Sequence, residues 1–289
     1  MISVVIAAYN EAAVIGRNLD LLLEKSTPGE LDVIVVANGC TDDTVERASA
    51  RGVLVIDRPT PGKAAALDAG DALAKGYPRV YLDADIAVTT DSVRAVAAAL
   101  AGLPTNGGTK PLAAAPCRRL VLTGRPLAVR CYFAIQSRLP AARTGLYGRG
   151  MIALSDEGRA RFDRFPEILA DDLFLDSLFS AGERIIVTSV HTDVETPRHT
   201  TDLLRRLTRV RRGNAALRRR ATTDASVGQV RSSQPFSWFF DVVLRRPWLA
   251  PAGVVFAVLT LVAEQRARRE SDDWGSDTSS RTDGAARDA

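Results

Sequence analysis

Two aspartates separated by one residue, Asp83 and Asp85, follow the apolar run at the start of the segment "RVYLDADIAV". On an extended segment the side chains at i and i+2 point the same way, so both carboxylates should project from the end of a strand. Carboxylates held this close repel each other unless a cation lies between them. Oxygen ligands suit Mg²⁺ or Mn²⁺, which bind one or two carboxylates and add water and substrate phosphates. The pattern predicts a metal site or, alternatively, a helix cap or solvated loop.

The elements that must position this pair are four consecutive strand and helix units. The predicted strands cover residues 2–8, 31–37, 53–58 and 79–85, and the predicted helices cover 12–25, 44–51, 64–76 and 91–103. Their continuous apolar strands are typical of a parallel sheet covered by helices on both faces. In such α/β sheets ligands bind outside the carboxyl ends of the strands, where "YNE", "NGCTDD", "PTPGK" and "DAD" should meet. No GxGxxG motif follows the first strand, which disfavours a dinucleotide site.

The rest of the chain has weaker patterns. We expect one domain over residues 1–231, divided into a first half at 1–103 and a second half at 104–231. A C-terminal helical segment is expected at 232–270. The tail, 271–289, has too little apolar content to fold alone.

Within that helical segment lies an apolar stretch, 247–263, of 17 uncharged residues. It is shorter than the ~20 residues that span a bilayer, and it contains Pro251 and Gly253. Arginines flank it at both ends, which suits lipid headgroups. The stretch therefore predicts a short spanning helix, an interfacial helix or a packed core helix.

The positive charge of the chain is local. The formal net charge is +4, but the segment from Arg198 to Arg231 has ten arginines and two aspartates, a local charge of +8, so the remainder sums to −4. A field confined to one place suits an anionic partner, such as a membrane surface, better than general coating by nucleic acid. No nucleic-acid partner is predicted.

The cysteines and the N-terminus indicate the compartment. Cys40, Cys117 and Cys131 are widely spaced and odd in number, which argues against a disulfide framework or a thiolate metal site. The opening "MISVVIAAYN" is typical of a first strand rather than a signal peptide. We expect a cytoplasmic protein, either free or associated with the cytoplasmic face of the plasma membrane.

Five segments in order carry a resemblance to a known family: "ISVVIAAYNEAAVIGRNLDLL", "VIVVANGCTDDT", "GKAAALDAGDALAKG", "VYLDADIAV" and "ADDLFLDSLF". Together they resemble the inverting glycosyltransferases of the family 2 type, which have the GT-A fold, over roughly residues 1–215. The resemblance implies an α/β, Rossmann-like, mostly parallel sheet with helices on both faces, here followed by a C-terminal helical extension. It also implies a nucleotide-diphosphate-sugar donor, a divalent Mg²⁺ or Mn²⁺ on the D-x-D motif, and an acceptor bound by the second half.

The same resemblance implies positions for the donor site. The nucleotide-sugar residues it implies are Ala8, Tyr9, Glu11, Asn38, Lys63, Asp83, Arg209 and Arg212. Lys63 would place a cation near the diphosphate, Asp83 would contact ribose or metal-bound water, and Asp85 would bind the metal. The family often has an Asp that recognises the base where this chain has Ala37 and Asn38, so the base remains open between UDP and GDP.

For the chemical step, the resemblance places Asp172 where the family has its catalytic base and Asp171 beside it, where it shapes the site or contacts the acceptor. The alternative is a pair of acids that only complement the dipole of a helix N-terminus. Gly148, Arg149 and Gly150 correspond to the loop that lines the acceptor pocket in the family, although a simple hairpin turn has the same glycines.

Two further features complete the expected site. The metal shell of some GT-A enzymes includes a histidine, so His191 is a candidate third ligand, with His199 or a plain solvated loop as alternatives. The arginine strip lacks the Gln-x-x-Arg-Trp motif of processive relatives, which favours transfer of a single sugar. Arg209 and Arg212 would grip the diphosphate or an anionic acceptor, or else lie on headgroups as a basic helix face.

These features predict a metal-dependent inverting glycosyltransferase that moves one sugar to an acceptor hydroxyl or a lipid phosphate. The acceptor is a sugar, a lipid or a small molecule. One alternative is a retaining transferase on the same fold, which product stereochemistry would distinguish. Another is a nucleotide-sugar-binding or membrane-scaffolding module without catalysis, suggested by Ala37 and Asn38 but disfavoured by Asp83, Asp85 and Asp172. Nucleotidyl transfer is disfavoured because the first turn lacks a phosphate loop.

Overall fold

The computed structural model describes residues 1–102, 109–167, 170–221 and 236–269. A seven-stranded sheet with the order β3-β2-β1-β4-β6-β5-β7 runs through it. The strands are β1 (Ile2–Ala8), β2 (Leu31–Asn38), β3 (Leu54–Arg58), β4 (Arg79–Asp83), β5 (Ala113–Val121), β6 (Met151–Leu154) and β7 (Arg184–Glu195). The α/β fold class and the mostly parallel sheet are confirmed.

Ten α-helices are described. They are α1 (Ile15–Leu23), α2 (Thr44–Ser49), α3 (Lys63–Leu73), α4 (Thr90–Ala101), α5 (Leu127–Gln136), α6 (Pro140–Thr144), α7 (Asp156–Arg159), α8 (Asp171–Ser177), α9 (Thr200–Ala221) and α10 (Ala250–Arg269). A π-helix at Trp238–Val243 and short 3₁₀ turns at Ala181–Glu183 and Pro247–Leu249 connect them.

The inner strands β1, β2, β4 and β6 are buried on both faces because they are largely apolar. On one face α1 and α4 pack against β1 and β4 through residues such as Leu19, Val93 and Val4. On the other face α3 approaches closely: a Cβ on Gly70 would lie 2.5 Å from Cγ1 of Val5. Only glycine allows this spacing between helix and strand, so α3 carries Lys63 directly above the end of the sheet.

One strand reverses the direction of the sheet. β6 is antiparallel to both β4 and β5, and β5 is parallel to β7. Consequently β5 and β7 point the same way as the parallel strands β1 to β4, and all six carboxyl ends lie at one edge of the sheet. The residues after these strands are therefore brought together at that edge.

The C-terminal helices form a separate apolar cluster on the second half. The π-helix and α10 pack against α5 and α9 through Val129, Tyr132, Leu203, Val242 and Phe256. The span Pro247–Arg269 is long and apolar enough to cross a membrane by length and composition, with a mean hydropathy of 1.6 and only 28% of that stretch buried.

Some predicted boundaries moved. β4 ends at Asp83 rather than at Asp85, because the Ile86 N–H donates to the Asp83 carbonyl at 3.1 Å and closes a turn. The extended geometry that was expected to align the two carboxylates therefore stops at Asp83. The last helix, Ala250–Arg269, lies within the expected C-terminal helical segment 232–270. The proposed boundary near 231 and the tail 271–289 lie outside the described residues.

Candidate active site

A cleft at the carboxyl edge of the sheet contains Lys63, Asp83, Asp171 and Asp172. Lys63 is the first residue of α3, Asp83 is the last residue of β4, and the two neighbouring aspartates begin α8. The structure thus brings together four of the residues for which the sequence predicted donor binding and proton transfer, although the first and last are 109 positions apart in the chain.

Lys63 joins the two halves of the site. Its Nζ lies 2.8 Å from Oδ1 of Asp83 and 3.0 Å from Oδ2 of Asp171. Burial alone would lower the pKa of Lys63, but the nearby carboxylates of Asp171 and Asp83 outweigh it and raise that pKa well above its ordinary value. The side chain is 43% exposed, so the ammonium is charged and accessible from the cleft.

Asp172 has different surroundings from its neighbour. Its Oδ2 accepts a hydrogen bond from the Gly148 N–H at 2.8 Å, and its Oδ1 accepts one from the Leu173 N–H at 2.7 Å. Burial and then the negative charge of Asp171 raise the pKa of Asp172 to about 6, against the opposing effects of the Gly148 hydrogen bond and Lys63. Of two adjacent carboxylates, one is held by an ammonium and the other is a stronger base than an ordinary aspartate.

The glycine loop before β6 holds both acidic motifs. Gly148 and Gly150 have φ values of +66° and +71°, which favour glycine. The Gly150 carbonyl accepts a hydrogen bond from the Asp83 N–H at 2.8 Å, and a Cβ at Gly150 would lie 2.3 Å from Cγ1 of Ile86. The loop therefore fixes the end of β4 through Gly150 and the carboxylate of Asp172 through Gly148.

Arg149, between these glycines, is 4% exposed. Its guanidinium donates hydrogen bonds to the carbonyls of Gly145, Pro116, Ala142 and Arg143, at 2.7 to 3.2 Å. The side chain also lines the cleft, but these four bonds make it a positioning residue for the loop. Acceptor contact by Arg149 remains a prediction.

Asn38, the last residue of β2, ties the end of β1 to the loop after β3 and is 4% exposed. Its Nδ2 donates to the Ala8 carbonyl at 2.7 Å, and its Oδ1 accepts from the Gly62 N–H at 3.1 Å. The amide thus links the end of β1 to the residue before Lys63. This leaves contact between Asn38 and a base a prediction.

The neighbouring loop residues have mixed exposure. Glu11 is 6% exposed, and its N–H donates to Oγ1 of Thr44 at 2.8 Å, while Tyr9 is half-buried. These contacts order the loop after β1 at the carboxyl edge. Nucleoside binding by Ala8, Tyr9 and Glu11 remains a prediction.

The carboxylates suit a metal that the substrate helps to bind. Among the described residues, no group of three or more His, Cys, Asp or Glu side chains could form a metal site. Asp83 is 44% exposed and Asp85 is exposed in the following turn. Two accessible carboxylates match the way Mg²⁺ and Mn²⁺ bind beside substrate phosphates, in which the protein supplies only one or two ligands. The residues therefore fit a divalent cation that is completed by the donor.

Nine of the predicted site residues lie outside the lining of this cleft, and three of them, His191, Arg209 and Arg212, lie on β7 and α9. His191 is exposed on β7, where it pairs with Cys117 and lies near Asp193. Arg209 and Arg212 are half-buried on α9. The structure does not bring these side chains to Lys63 and Asp172, and their roles remain predictions.

Asp176 is a supporting residue that the sequence reasoning missed. It is 1% exposed, and its Oδ1 accepts hydrogen bonds from the Leu146 N–H at 2.8 Å and from Arg184 Nη1 at 2.6 Å. It thereby anchors the chain just before the glycine loop. The available signal was a single acid on the otherwise apolar face of "LFLDSLF", one turn after Asp172.

Comparisons with known proteins agree with this geometry. Residues 3–109 match the family described as Glycosyl transferase family 2. The chain is similar to the mannosyltransferase PcManGT from Pyrobaculum calidifontis in complex with GDP-Man and Mn²⁺, with 18% identity, a TM-score of 0.63, and coverage of 94% of this chain and 88% of that one. At this identity the likeness shows the fold.

A second similar structure is glucosyl-3-phosphoglycerate synthase from Mycobacterium tuberculosis in complex with Mn²⁺, UDP and glucosyl-3-phosphoglycerate. It shares 25% identity and a TM-score of 0.51 with this chain, over 70% of this chain and 74% of that one. No curated protein matches the chain.

Proposed function

We propose that this chain, whose residues 3–109 match Glycosyl transferase family 2 and whose fold is that of GT-A glycosyltransferases, moves a single sugar from a nucleotide-diphosphate-sugar to an acceptor hydroxyl. The observation that carries the proposal is the contrast between Asp171 and Asp172. Asp171 is paired with Lys63, whereas burial raises the pKa of Asp172 to about 6. A base with this pKa is largely ionised at neutral pH and takes up a proton readily.

The donor lies at the side of the cleft formed by Lys63, Asp83 and Asp85. The two aspartates would hold a divalent cation together with the phosphates of the donor, and that cation supplies positive charge to the leaving nucleoside diphosphate. Lys63 keeps Asp83 in place and carries its own positive charge toward the same group. The similar structures with bound Mn²⁺ support this assignment.

The transfer is a single displacement. The acceptor oxygen forms a bond to the anomeric carbon of the sugar while the bond from that carbon to the diphosphate oxygen breaks. The hydroxyl proton passes to Asp172, and the electron pair leaves with the nucleoside diphosphate. Of the three carboxylates that line the cleft, Asp83 and Asp171 contact Lys63, which leaves Asp172 as the base. One displacement inverts the configuration at the anomeric carbon.

The enzyme works at a membrane surface. Ala252, Phe256, Leu259 and Ala263 bury one face of α10, while Val254, Val258 and Leu261 are 53% to 63% exposed on another. Helices that are apolar on all sides are either buried or in contact with lipid. Further exposed apolar residues continue this surface before the helix, at Phe236, Phe239, Phe240, Leu244 and Trp248.

The charges beside this apolar surface suit anionic headgroups. Arg245 and Arg246 are exposed next to Trp248, and Arg266, Arg268 and Arg269 end α10. Tryptophan and arginine at the boundary of an apolar face are typical of segments that lie in the interface of a bilayer. The membrane therefore binds α10 and the π-helix from the side.

The test is turnover of a panel of UDP, GDP, CDP and dTDP sugars with Mn²⁺, followed by NMR of the product. One donor should be consumed, and its product should have the opposite anomeric configuration. Retention of configuration would remove Asp172 from the role of base in a single displacement. Failure of every nucleotide to raise the melting temperature with Mn²⁺ would contradict the donor site itself.

A further inference from the structure

A second charged site lies near the glycine loop that holds Asp172. Arg118, on β5, is half-buried, and its Nη2 donates to Oε1 of Gln136 at 2.9 Å. That partner is a neutral amide. Burial lowers the pKa of Arg118, and the positive charges of Arg149 and Arg206 lower it further. A guanidinium nevertheless stays charged at neutral pH.

More arginines lie near Arg118. Burial raises the pKa of Tyr132 to about 12, and the positive charges that oppose this rise come from Arg211, Arg206 and Arg118. We call Arg118, Arg206 and Arg211 the arginine cluster. Arg211 is 3.9 Å from Glu264, and Arg206 donates to the Glu195 carbonyl at 3.4 Å. Of these partner groups only the carboxylate of Glu264 carries a negative charge, so the three guanidinium groups of the cluster have a net positive charge.

The next residue along the strand provides a contrast. Arg119 is exposed, and its Nε lies 2.5 Å from Oδ1 of Asp193. Successive side chains of a strand point to opposite faces. Arg119 pairs with a carboxylate on the solvent side, whereas Arg118 on the other face forms no ion pair with a carboxylate of the described residues and donates to Gln136 instead. Burying a charge without a counter-ion is costly, and such sites are commonly completed by a ligand.

Arg118 lies close to the proposed base. A Cβ built on Gly148 would be only 3.2 Å from Nη1 of Arg118, and the Gly148 N–H holds the carboxylate of Asp172 at 2.8 Å. One backbone residue thus separates the guanidinium from the group that takes the proton. If the hydroxyl of a ligand contacts Asp172, a neighbouring group of the same ligand can contact Arg118.

The strand is shaped to place Arg118 there. The pairing of β5 with β7 is interrupted between Pro116 and Cys117, where the register jumps from Val187 to His191. Such irregularities redirect the side chains that follow them and are common beside active sites. Arg118 follows this interruption at the carboxyl edge of the sheet, the edge shared with Asp83.

We infer that the arginine cluster binds an anionic group of the acceptor, a phosphate ester in particular, and thereby places the acceptor hydroxyl against Asp172. Guanidinium groups bind phosphate through paired hydrogen bonds. The inference rests on the proposed function, because it assigns the charge of the acceptor. The phosphate can belong to a small soluble molecule or to a lipid headgroup, and the two sources share this chemistry.

The experiment measures binding of two probes by the full chain. One is sn-glycerol 3-phosphate, measured by calorimetry. The other is phosphatidylcholine vesicles with and without phosphatidic acid, measured by flotation. Arg118→Gln and Arg206→Gln should each raise the dissociation constant about tenfold or more, the usual effect of losing a charged hydrogen bond. Arg118→Lys should have a smaller effect, and Arg119→Gln, the matched control, should have none.

The outcomes separate the possibilities. Dependence on Arg118 with the soluble ester identifies a small acceptor, and dependence only with phosphatidic acid vesicles identifies a lipid. Equal binding by Arg118→Gln and Arg119→Gln with both probes overturns the inference. If Arg118→Gln does not fold, comparison of Arg206→Gln with Arg119→Gln decides in the same way. Nucleotide binding and donor turnover are measured on the same samples. Absence of donor turnover by the unmodified chain, with intact phosphate binding, would contradict only the proposed function.

Discussion

Two cations lie near Asp172, and their surroundings are opposite. Lys63 contacts two carboxylates, whereas Arg118 contacts a neutral amide and lies near further arginines. A balanced site suits a donor diphosphate that arrives with a divalent cation and so brings little net charge. An unbalanced site suits an anion that arrives alone. Under the proposed assignment, the donor site at Lys63 and the acceptor site at Arg118 differ in their charge balance.

The largest expected effect is at Asp172. Asp172→Asn removes the base but keeps the size of the side chain, so kcat should fall about 10²-fold to 10⁴-fold. Nucleotide and phosphate binding should change little, because the proposal assigns the diphosphate to Lys63 and the metal, and the acceptor phosphate to the arginine cluster. Steady-state kinetics and calorimetry make the comparison, with Asp156→Asn, an exposed acid at the start of α7, as the control. Equal turnover by both variants would contradict the assignment of the base.

The pH profile sharpens this assignment. The base must be ionised to act. Because the pKa of Asp172 is raised to about 6, the acid limb of the profile, where activity falls, should lie at a higher pH than it would with an ordinary aspartate. We expect kcat/KM to fall about tenfold per pH unit below 6 and to level off above it. The profile is measured from roughly pH 4.5 to 8, a range that includes the ordinary and the raised pKa of aspartate. The buffers have constant ionic strength. A limb near 4 would show that Asp172 is not desolvated.

Lys63→Met tests whether the two cations serve different ligands. The change leaves Asp83 and Asp171 without their shared ammonium, so nucleotide affinity should fall about tenfold. Because Lys63 also lowers the pKa of Asp172, the acid limb should move above pH 6. Phosphate-ester binding at Arg118 should persist. Exposed Lys75 provides the control Lys75→Met, and equal loss of both ligands in Lys63→Met would break the distinction between the two sites.

A pair of glycines tests the loop that connects these regions. Gly150→Ala combines a positive φ with a Cβ that would lie 2.3 Å from Ile86, whereas Gly124→Ala has a similar φ of +69° and nothing within 4 Å. We expect Gly124→Ala to cost about 1 kcal/mol of unfolding free energy and Gly150→Ala roughly 2–3 kcal/mol. Urea denaturation measures both. Equal costs would mean that Ile86 moves freely and that the loop does not fix Asp83.

Much of this arrangement could be predicted from sequence because short motifs report local geometry. Apolar runs ended by turn residues located β1 to β4, and the structure places Asp83, Asp172 and Lys63 in one cleft. The turn after Asp83 was not predicted, since it depends on a hydrogen bond from Ile86 and on close packing of the glycine loop. Arg118 was missed because the sequence does not show which side chains lie next to it. In the described residues its hydrogen-bond partner is the neutral amide of Gln136, and it forms no ion pair.

The smallest expected effect concerns the exposed apolar surface of α10, which lies on a different part of the molecule from Lys63 and Arg118. Val258→Glu places a charge at the centre of the exposed face, where Val258 is 53% exposed, so it should not disturb the core. Affinity for phosphatidylglycerol vesicles should fall severalfold, since each charge in a lipid interface costs on the order of 1 kcal/mol. Gln265→Glu, at an exposed position near the end of the same helix, adds the same charge outside the apolar face. Flotation with both variants isolates the apolar contribution, and equal binding would show that arginines alone bring this enzyme to lipid.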